Sequence, residues 1–363
     1  MWHDLYKHRR LSVILEISTY CNAKCPQCDR TDPNGLGISN KFRFTPNINL
    51  SLEKFKTFFT PDVISHLTNI HFSGSFGDPL MNPDILEMVQ HVIESDNRCR
   101  VSINTNGSLR NEEFWWNLGA VGKKRLTVIF DVDGITQEMH EKYRRATSLK
   151  KILQNMDTLS LTPAHIKTFT ILFKHNQNYK EDIEKLCKEH GAIECDILQS
   201  NRFKDGPVFS FINENGQEET LEQVTNDKLK IEDLNRPARR IRDHRFKSES
   251  TQIIKFVRKP EIQKIEKKMP EISCYFLNNK NLHIDVNGIV YPCCHWEIQN
   301  DYIKSHNKNT LYHSFHDELG KNNLNNYSLK DILSNRYFDN GIYESFKDPD
   351  QISTPCVYMC RKI

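Results

Sequence analysis

Long apolar runs are missing from this sequence. None of its apolar stretches approaches the roughly 20 residues that a membrane-spanning helix needs. The first ten residues, Met1 to Arg10, have no apolar core of the kind found in secretory signals. Internal repeats and low-complexity tracts are absent as well. Together with a mean hydropathy of −0.63, these absences predict a soluble cytoplasmic protein with no membrane partner.

A large excess of either charge is also lacking. The net charge of +3 is too small to imply nucleic-acid binding by itself. Cysteine, in contrast, is plentiful, and the count of eleven is odd. Its clustering suits metal binding better than disulfides in a reducing cytosol. At 363 residues the chain is long enough for one large domain and a smaller one.

Three of the cysteines form a compact motif. Cys21, Cys25 and Cys28 directly follow the apolar stretch Ser12–Ile17, which predicts a buried strand. Their C-x3-C-x2-C spacing suits one face of an iron–sulfur cube and leaves one iron without a protein ligand. The alternatives on spacing alone are a zinc knuckle with a distant fourth ligand, or unrelated core thiols.

Predicted strands and helices alternate through the first 200 residues. This alternation is typical of parallel βα units, and six of them predict an α/β fold, a partial (β/α)6 barrel like an open TIM barrel, over residues 11–200. Asn82-Pro83-Asp84 predicts one helix start, with Asn82 as the cap. We expect the loops at the carboxyl ends of the strands to converge on one mouth.

The pattern changes after residue 200. Residues 201–270 lose the alternation, and we expect a bridging segment of short helices and loops. A basic cluster within it, from Arg236 to Lys247, is either a solvated helix face or an anion site for a phosphate or carboxylate of the substrate.

Residues 271–363 predict a small cysteine-rich α+β domain with a β-hairpin. Leu282–Val286 and Ile289–Tyr291 flank Asn287-Gly288, a sequence typical of a type I′ turn. Cysteines in two separated groups surround this hairpin and suggest a second metal site: Cys274, Cys293, Cys294, Cys356 and Cys360.

The cysteine triplet, the Ser75-Phe-Gly-Asp-Pro79 turn and the βα alternation together resemble the radical S-adenosylmethionine (SAM) enzymes over about residues 11–200. The C-x13-G-x4-C pattern from Cys274 through Gly288 to Cys293, followed by Cys356 and Cys360, resembles the SPASM/twitch extension of that family. Five cysteines are fewer than a full SPASM domain has, so the shorter twitch form with a single auxiliary cluster fits better.

The resemblance implies two clusters. Cys21, Cys25 and Cys28 would hold a [4Fe–4S] cluster whose fourth iron binds the amino and carboxylate groups of SAM. Gln27 stands where the family usually has an aromatic residue. The cysteines implied as ligands of one auxiliary [4Fe–4S] cluster are Cys274, Cys293, Cys356 and Cys360. Cys294 would be an alternative ligand, a hydrogen donor or an inert thiol.

The resemblance also implies contacts with SAM. The turn formed by Ser75, Gly77, Asp78 and Pro79 matches the Gly-Gly-Glu-Pro motif that contacts the methionine amino group, with Asp in place of Glu. The other implied contacts are Asn104 and Asn106 with the ribose, Arg144 with the SAM carboxylate, and Asp131 and Asp133 with ribose or substrate. The alternatives are a plain turn at Asn106, a surface salt bridge at Arg144 and loop caps at the two aspartates.

The expected reaction follows from that family. A reductant such as flavodoxin or ferredoxin would supply an electron, SAM would be cleaved to a 5′-deoxyadenosyl radical, and the radical would abstract hydrogen from a small-molecule, carrier-bound or peptide substrate. Oxidation, epimerisation or rearrangement would follow, and the auxiliary cluster would aid electron transfer or substrate binding.

Two further considerations bear on the substrate and on the class of protein. Few residues precede the first strand, and from this we expect no leader-binding domain and hence a small or carrier-presented substrate. The alternatives are modification of a nucleotide or nucleic-acid base, and a zinc-stabilised binding module without catalysis.

Overall fold

The computed structural model describes residues 2–39, 47–200, 202–203, 206–225, 272–297 and 311–348, together with Cys356 and Cys360. The basic cluster from Arg236 to Lys247 lies outside the described residues. None of the helices described is long and apolar enough to cross a membrane.

An eight-stranded sheet is the framework of the described part of the chain. From one edge to the other, its strands are β10 Val290–Tyr291, β9 Asn281–Ile284, β1 Leu11–Glu16, β2 Leu67–Ser73, β3 Arg100–Thr105, β4 Leu126–Asp131, β5 His165–Leu172 and β6 Ala192–Gln199. Strands β1 to β6 are parallel. The edge strands β10 and β6 do not pair with each other. The predicted open α/β barrel is therefore confirmed. The two other strands described are β7 Val208–Ile212 and β8 Glu218–Glu222.

Helices follow most of the strands and pack against one face of the sheet. Ser51 caps the second helix, where its Oγ accepts a hydrogen bond from the Lys54 amide at 3.3 Å. The helices up to residue 200 are α1 Trp2–Lys7, α2 Leu52–Phe58, α3 Pro61–Ser65, α4 Ile85–Ser95, α5 Glu112–Gly122, α6 Gln137–Glu141, α7 Leu149–Ser160 and α8 Lys180–Glu189. The later α-helices described are Tyr275–Asn278, Cys294–Glu297, Leu311–Asp317, Leu329–Leu333 and Ile342–Ser345, and short 3-10 or π segments are Pro79–Met81, Lys123–Arg125, Gln177–Tyr179, Leu319–Asn322 and Tyr337–Gly341.

The predicted helix start at Asn82 is displaced. The regular helix α4 begins at Ile85, although Asn82 Oδ1 does accept a hydrogen bond from the Asp84 amide at 2.9 Å. The other end of the Asn82 side chain donates to the carbonyls of Ile17 and Leu50, each at 2.8 Å. Asn82 thus ties three backbone segments together, and the turn it forms delays the helix.

Part of the bridging segment is a hairpin. The expectation of short helices and loops is wrong for residues 208–222, because β7 and β8 pair in antiparallel fashion. Phe211 and Leu221 on these strands are buried, with 3% and 2% of their surface exposed. Their contacts with distant apolar residues stabilise a hairpin that the local sequence did not reveal.

The C-terminal hairpin joins the large sheet. Strand β9 pairs in parallel with β1, and its other edge pairs with β10. The predicted type I′ turn is wrong, because such a turn needs positive φ at both central residues and only Gly288, at φ +83°, has it. Asp285 decides the geometry: its Oδ1 accepts from the amides of Asn287 and Ile289 at 3.0 and 2.8 Å. The division of the chain into domains stays a prediction.

Candidate active site

The turn after β2 packs directly on the backbone that leads into the cysteine loop. The Asp78 amide donates to the Tyr20 carbonyl at 2.7 Å. A Cβ atom added at Gly77 would lie 2.2 Å from the Ser18 carbonyl oxygen. Only glycine allows so close an approach, so Gly77 sets the distance between this turn and the cysteines.

The carboxylate of Asp78 joins this turn to the loop after β3. It accepts hydrogen bonds from the Thr105 hydroxyl at 2.9 Å, from the Asn106 amide at 2.8 Å and from Asn106 Nδ2 at 2.6 Å. Burial raises the pKa of Asp78, and these donors oppose that shift. The hydrogen bonds assign Asp78 a structural task, and its direct contact with SAM stays a prediction.

Asn106 connects the same network to the cysteine loop through Asn22, a residue that the sequence analysis missed. Asn106 Nδ2 donates to Asn22 Oδ1 at 2.8 Å, and Asn22 Nδ2 donates to Ser108 Oγ at 3.0 Å. The Asn106 amide group thus donates to both Asp78 and Asn22. In contrast, Asn104 Oδ1 is buried and has no hydrogen-bond partner among the described residues. Asn104 is therefore better placed than Asn106 to accept a bond from a ligand.

Arg144 lies beside the cysteines in a buried ion-pair network. Its Nε donates to Asp133 Oδ2 at 2.5 Å, its Nη1 lies 3.0 Å from Asp131 Oδ2, and Nη1 is 4.0 Å from Cys25 Sγ. Only 9% of Arg144 is exposed, so it is not a surface salt bridge. Burial raises the pKa of Asp131 to about 7, although Arg144 opposes the shift.

His140 fixes the position of Asp133 and was also missed in the sequence. Its Nδ1 accepts a hydrogen bond from the Asp133 amide at 3.2 Å, and its Nε2 lies 3.0 Å from the Thr147 hydroxyl. Burial lowers the pKa of His140 to about 4. The ring is therefore neutral at pH 7, and Thr147 in turn donates to the Arg144 carbonyl.

The three thiols of the motif lie close enough to influence one another. Burial raises the pKa of Cys21 well above its usual value, and Asp78, Cys25 and Cys28 add to the shift. Burial also raises the pKa of Cys25 to about 12, whereas the neighbouring Arg144 lowers it. Iron binds thiolates, and the Arg144 cation beside Cys25 favours that form. The donor set therefore fits an iron–sulfur cluster.

The β7–β8 hairpin covers the cysteine loop. An apolar cluster at this point combines residues of the loop, of the hairpin and of the segments after β4 and β5: Ala23, Cys25, Leu36, Tyr143, Phe173, Phe211 and Leu221. Arg145 pairs with Glu219 and lies 3.5 Å from Glu214, which fastens the hairpin at its tip. The thiols consequently lie next to an apolar shell.

The cysteines of the C-terminal region also come together. A hydrogen bond between Cys274 and Cys360 raises the pKa of Cys274 and lowers that of Cys360 to about 7. Burial raises the pKa of Cys293, and Cys294, Cys356 and Cys360 add to the shift. The four cysteines implied as auxiliary ligands are therefore neighbours, with Cys294 beside them. Among the described residues, no three His, Cys, Asp or Glu side chains converge as ligands of one metal ion would.

The inner face of the open barrel is polar. Alternate strand residues, such as Ile70, Phe72 and Val101, belong to the apolar core. The residues between them turn the other way. On that face Ser102 Oγ lies 2.7 Å from His71 Nδ1 and accepts from Asn69 Nδ2 at 3.1 Å. Further along the same face, Lys167 pairs with Glu194 at 2.5 Å. A ligand in the barrel would meet hydrogen-bonding groups.

The fold and the mouth thus define an α/β partial-barrel protein whose cysteine loop lies at the carboxyl ends of parallel strands. Residues 15–189 match the family model described as the Radical SAM superfamily. This part of the chain is a radical SAM domain. That finding replaces the zinc-stabilised binding module as an interpretation of the triplet.

Relatives agree with this assignment. The AdoMet-dependent heme synthase of Methanosarcina barkeri is 27% identical over 182 residues, which cover 50% of this chain and 48% of that protein. The GTP 3′,8-cyclase of Alkaliphilus oremlandii is 25% identical over 171 residues, covering 46% and 50%. The chain spans about half the length of the curated relatives it matches.

Solved structures share the fold across the described chain. Streptococcus suis SuiB bound to S-adenosylmethionine has a TM-score of 0.54 at 13% identity, covering 97% of this chain and 79% of that one. Native anSMEcpe with bound AdoMet has a TM-score of 0.51 at 14% identity, covering 92% and 83%. The family implies a [4Fe–4S] cluster and SAM.

Proposed function

We propose that this protein is a radical SAM enzyme that uses Cys21, Cys25 and Cys28 to hold its SAM-binding cluster and that acts on a polar substrate in the barrel. When bound, the cluster and SAM supply a 5′-deoxyadenosyl radical that abstracts hydrogen from the substrate. The observation that carries the proposal is the contact of Arg144 with the cysteine loop, where Nη1 lies 4.0 Å from Cys25 Sγ and the three thiols influence one another electrostatically.

The surrounding residues have separate tasks in this proposal. Gly77 and Asp78 hold the turn after β2 against the cysteine loop. Arg144 stabilises the thiolate of Cys25 and presents a guanidinium, restrained by Asp131 and Asp133, to an anionic group such as a carboxylate. The apolar shell under the β7–β8 hairpin excludes water, which protects a reactive radical from quenching.

The polar inner face supports a hydrogen-bonding substrate. Asn69 and Asn104 each have a buried amide oxygen without a partner among the described residues. Such oxygens accept hydrogen bonds from hydroxyl, amine or amide groups. Small molecules, carrier-bound groups and peptides all carry such donors, and one structural neighbour, SuiB, was solved bound to the precursor peptide SuiA.

The second set of cysteines supports an auxiliary cluster. Cys274, Cys293, Cys356 and Cys360 would be its ligands, since each of them is coupled electrostatically to at least one of the others. Cysteine is the usual ligand of such clusters. The cluster would serve electron transfer from the substrate radical, or substrate binding if one iron lacks a protein ligand.

The decisive experiment is anaerobic reconstitution with iron and sulfide, followed by SAM and dithionite. We expect 5′-deoxyadenosine and methionine from the wild type and neither from Cys25→Ala. A reconstituted wild-type protein that holds iron yet releases no 5′-deoxyadenosine would contradict the proposal. Deuterium transfer from labelled candidate substrates into 5′-deoxyadenosine would then identify the substrate.

A nucleotide substrate is the second candidate. It is favoured by the similarity to a protein named GTP 3′,8-cyclase, and the sequence between Arg236 and Lys247 is basic. Nucleotide binding that weakens with rising salt would support it. Absence of binding at low ionic strength would contradict it.

A further inference from the structure

Gln27 is held at both ends by the segment that follows β6. It lies between Cys25 and Cys28 and is only 6% exposed. Ser200 Oγ donates to Gln27 Oε1 at 2.7 Å, and Arg202 Nη1 donates to the Gln27 carbonyl at 2.5 Å. These contacts, made across more than 170 residues of sequence, restrain both the backbone and the side chain of Gln27.

The amide nitrogen of the Gln27 side chain takes no part in these contacts. Gln27 Nε2 is buried and has no hydrogen-bond partner among the described residues. A buried donor without an acceptor has lost its hydrogen bonds to water and gained none in return, so native structures rarely retain one without a reason. Because Ser200 restrains the oxygen of the amide group, the direction of the nitrogen is restrained too.

We propose that Gln27 Nε2 donates a hydrogen bond to the cofactor that the cysteine loop holds. The inference rests on the proposed function, because it requires the cluster at Cys21, Cys25 and Cys28. The acceptor is either a sulfur of the cluster or a ring nitrogen of the adenine of SAM, since both present lone pairs. A phenylalanine ring at this position could donate no such bond, because it carries no N–H or O–H group.

The test compares Gln27→Met, which has similar length but no donor, with the wild type. Ser200→Ala, which frees the amide group without removing it, is the second variant. Gln177→Met is the matched control, because Gln177 is a buried glutamine whose Nε2 already donates to Thr225 at 3.3 Å. Iron content is measured first, followed by the midpoint potential of the SAM-free cluster and the dissociation constant of SAM.

Loss of one hydrogen bond should change the relevant equilibrium about fivefold, which is about 40 mV for a one-electron couple. If the acceptor is sulfur, the potential of Gln27→Met falls by that amount, because the bond stabilises the more negative reduced state. If the acceptor is adenine, SAM binds about fivefold more weakly and the potential is unchanged. Ser200→Ala should change the same quantity in the same direction, by less.

Two results would overturn the inference. Gln27→Met with full iron and with both the wild-type potential and the wild-type SAM affinity would show that the donor has no partner in the cofactor. Equal effects of Gln177→Met would show that the change is a general loss of packing. Wild-type protein that binds no iron would be a different failure, because it would contradict the proposed function as well.

Discussion

Gly77 lies where the Gly-Asp-Pro turn crosses the backbone that leads to Cys21. Replacing it with alanine would place a Cβ atom 2.2 Å from the Ser18 carbonyl oxygen and 2.7 Å from that of Tyr20. Overpacking typically costs about 1–3 kcal/mol, and here the backbone itself must move. We expect Gly77→Ala to lower the free energy of unfolding by about 2 kcal/mol or more and to reduce the iron retained after reconstitution.

Chemical denaturation and iron analysis check this expectation. Gly37→Ala is the control, because a Cβ atom at Gly37 would meet nothing within 4 Å. Equal stability and iron content in the two variants would contradict the assignment of Gly77 as the spacer.

Because His140 is buried as a neutral ring, its protonation should make the free energy of unfolding depend on pH. Burial lowers its pKa to about 4 in the folded protein, whereas an exposed histidine titrates near 6.5. Between these values the unfolded chain binds more protons, so the contribution of His140 is complete above pH 6.5 and is lost as the pH falls towards 4. We expect the wild type to lose about 3 kcal/mol more than His140→Gln between pH 7 and pH 4.

Denaturant titrations of both proteins across that range measure the difference. Parallel pH profiles would show that the ring is not held neutral. His140, in the short helix α6, and Asn22, in the cysteine loop, belong to no periodic pattern in the sequence. Only their contacts with Asp133 and with Asn106 show that they are part of the site.

At the scale of elements, the β7–β8 hairpin acts as a cover. Phe211 is 3% exposed and belongs to the apolar cluster that contains Cys25. Its loss should open that cluster to water. We expect Phe211→Ala to cost about 3–5 kcal/mol and to speed the loss of iron–sulfur absorbance when an iron chelator is added.

Val208→Ala is the control for this variant, since Val208 lies on the same strand and is 49% exposed. If Phe211→Ala loses its iron–sulfur absorbance no faster than the wild type, the role of the hairpin as a cover is contradicted. The hairpin could not be found from sequence because its strands alternate weakly and depend on contacts with the cysteine loop for their burial.

At the scale of the whole molecule, strand β9 brings the C-terminal cysteines to the same sheet as the first triplet. Ser12 to Leu15 of β1 pair with Asn281 to Ile284, so both cysteine groups belong to one framework. If each group holds a [4Fe–4S] cluster, the reconstituted chain contains about eight irons. We expect Cys293→Ala to lose about half of them while the SAM-binding cluster remains.

Iron analysis and spectroscopy with and without SAM check this prediction. Cys99→Ala is the control, because Cys99 is fully buried in the apolar core and should leave the iron content unchanged. Cys293→Ala protein with a full complement of iron would contradict the auxiliary site.

Several features were determined by the sequence itself. The alternation of strands and helices, the helix cap at Ser51 and the position of the cysteine triplet after β1 all depend on residues close together in the chain. Local spacing therefore sufficed to predict an open α/β barrel with its chemistry at one mouth. The Asp285 turn and the delayed helix after Asn82 departed from prediction because one side chain satisfied several backbone groups at once.

Tertiary structure alone decided how the cysteine triplet is surrounded. Arg144 approaches Cys25 from 119 residues away, Ser200 restrains Gln27 from 173 residues away, and the β7–β8 hairpin packs in the same apolar cluster as Cys25. Contacts between such distant residues depend on where the loops of a packed sheet converge. They leave no periodicity in the sequence, because each needs only a single suitable side chain at the right place.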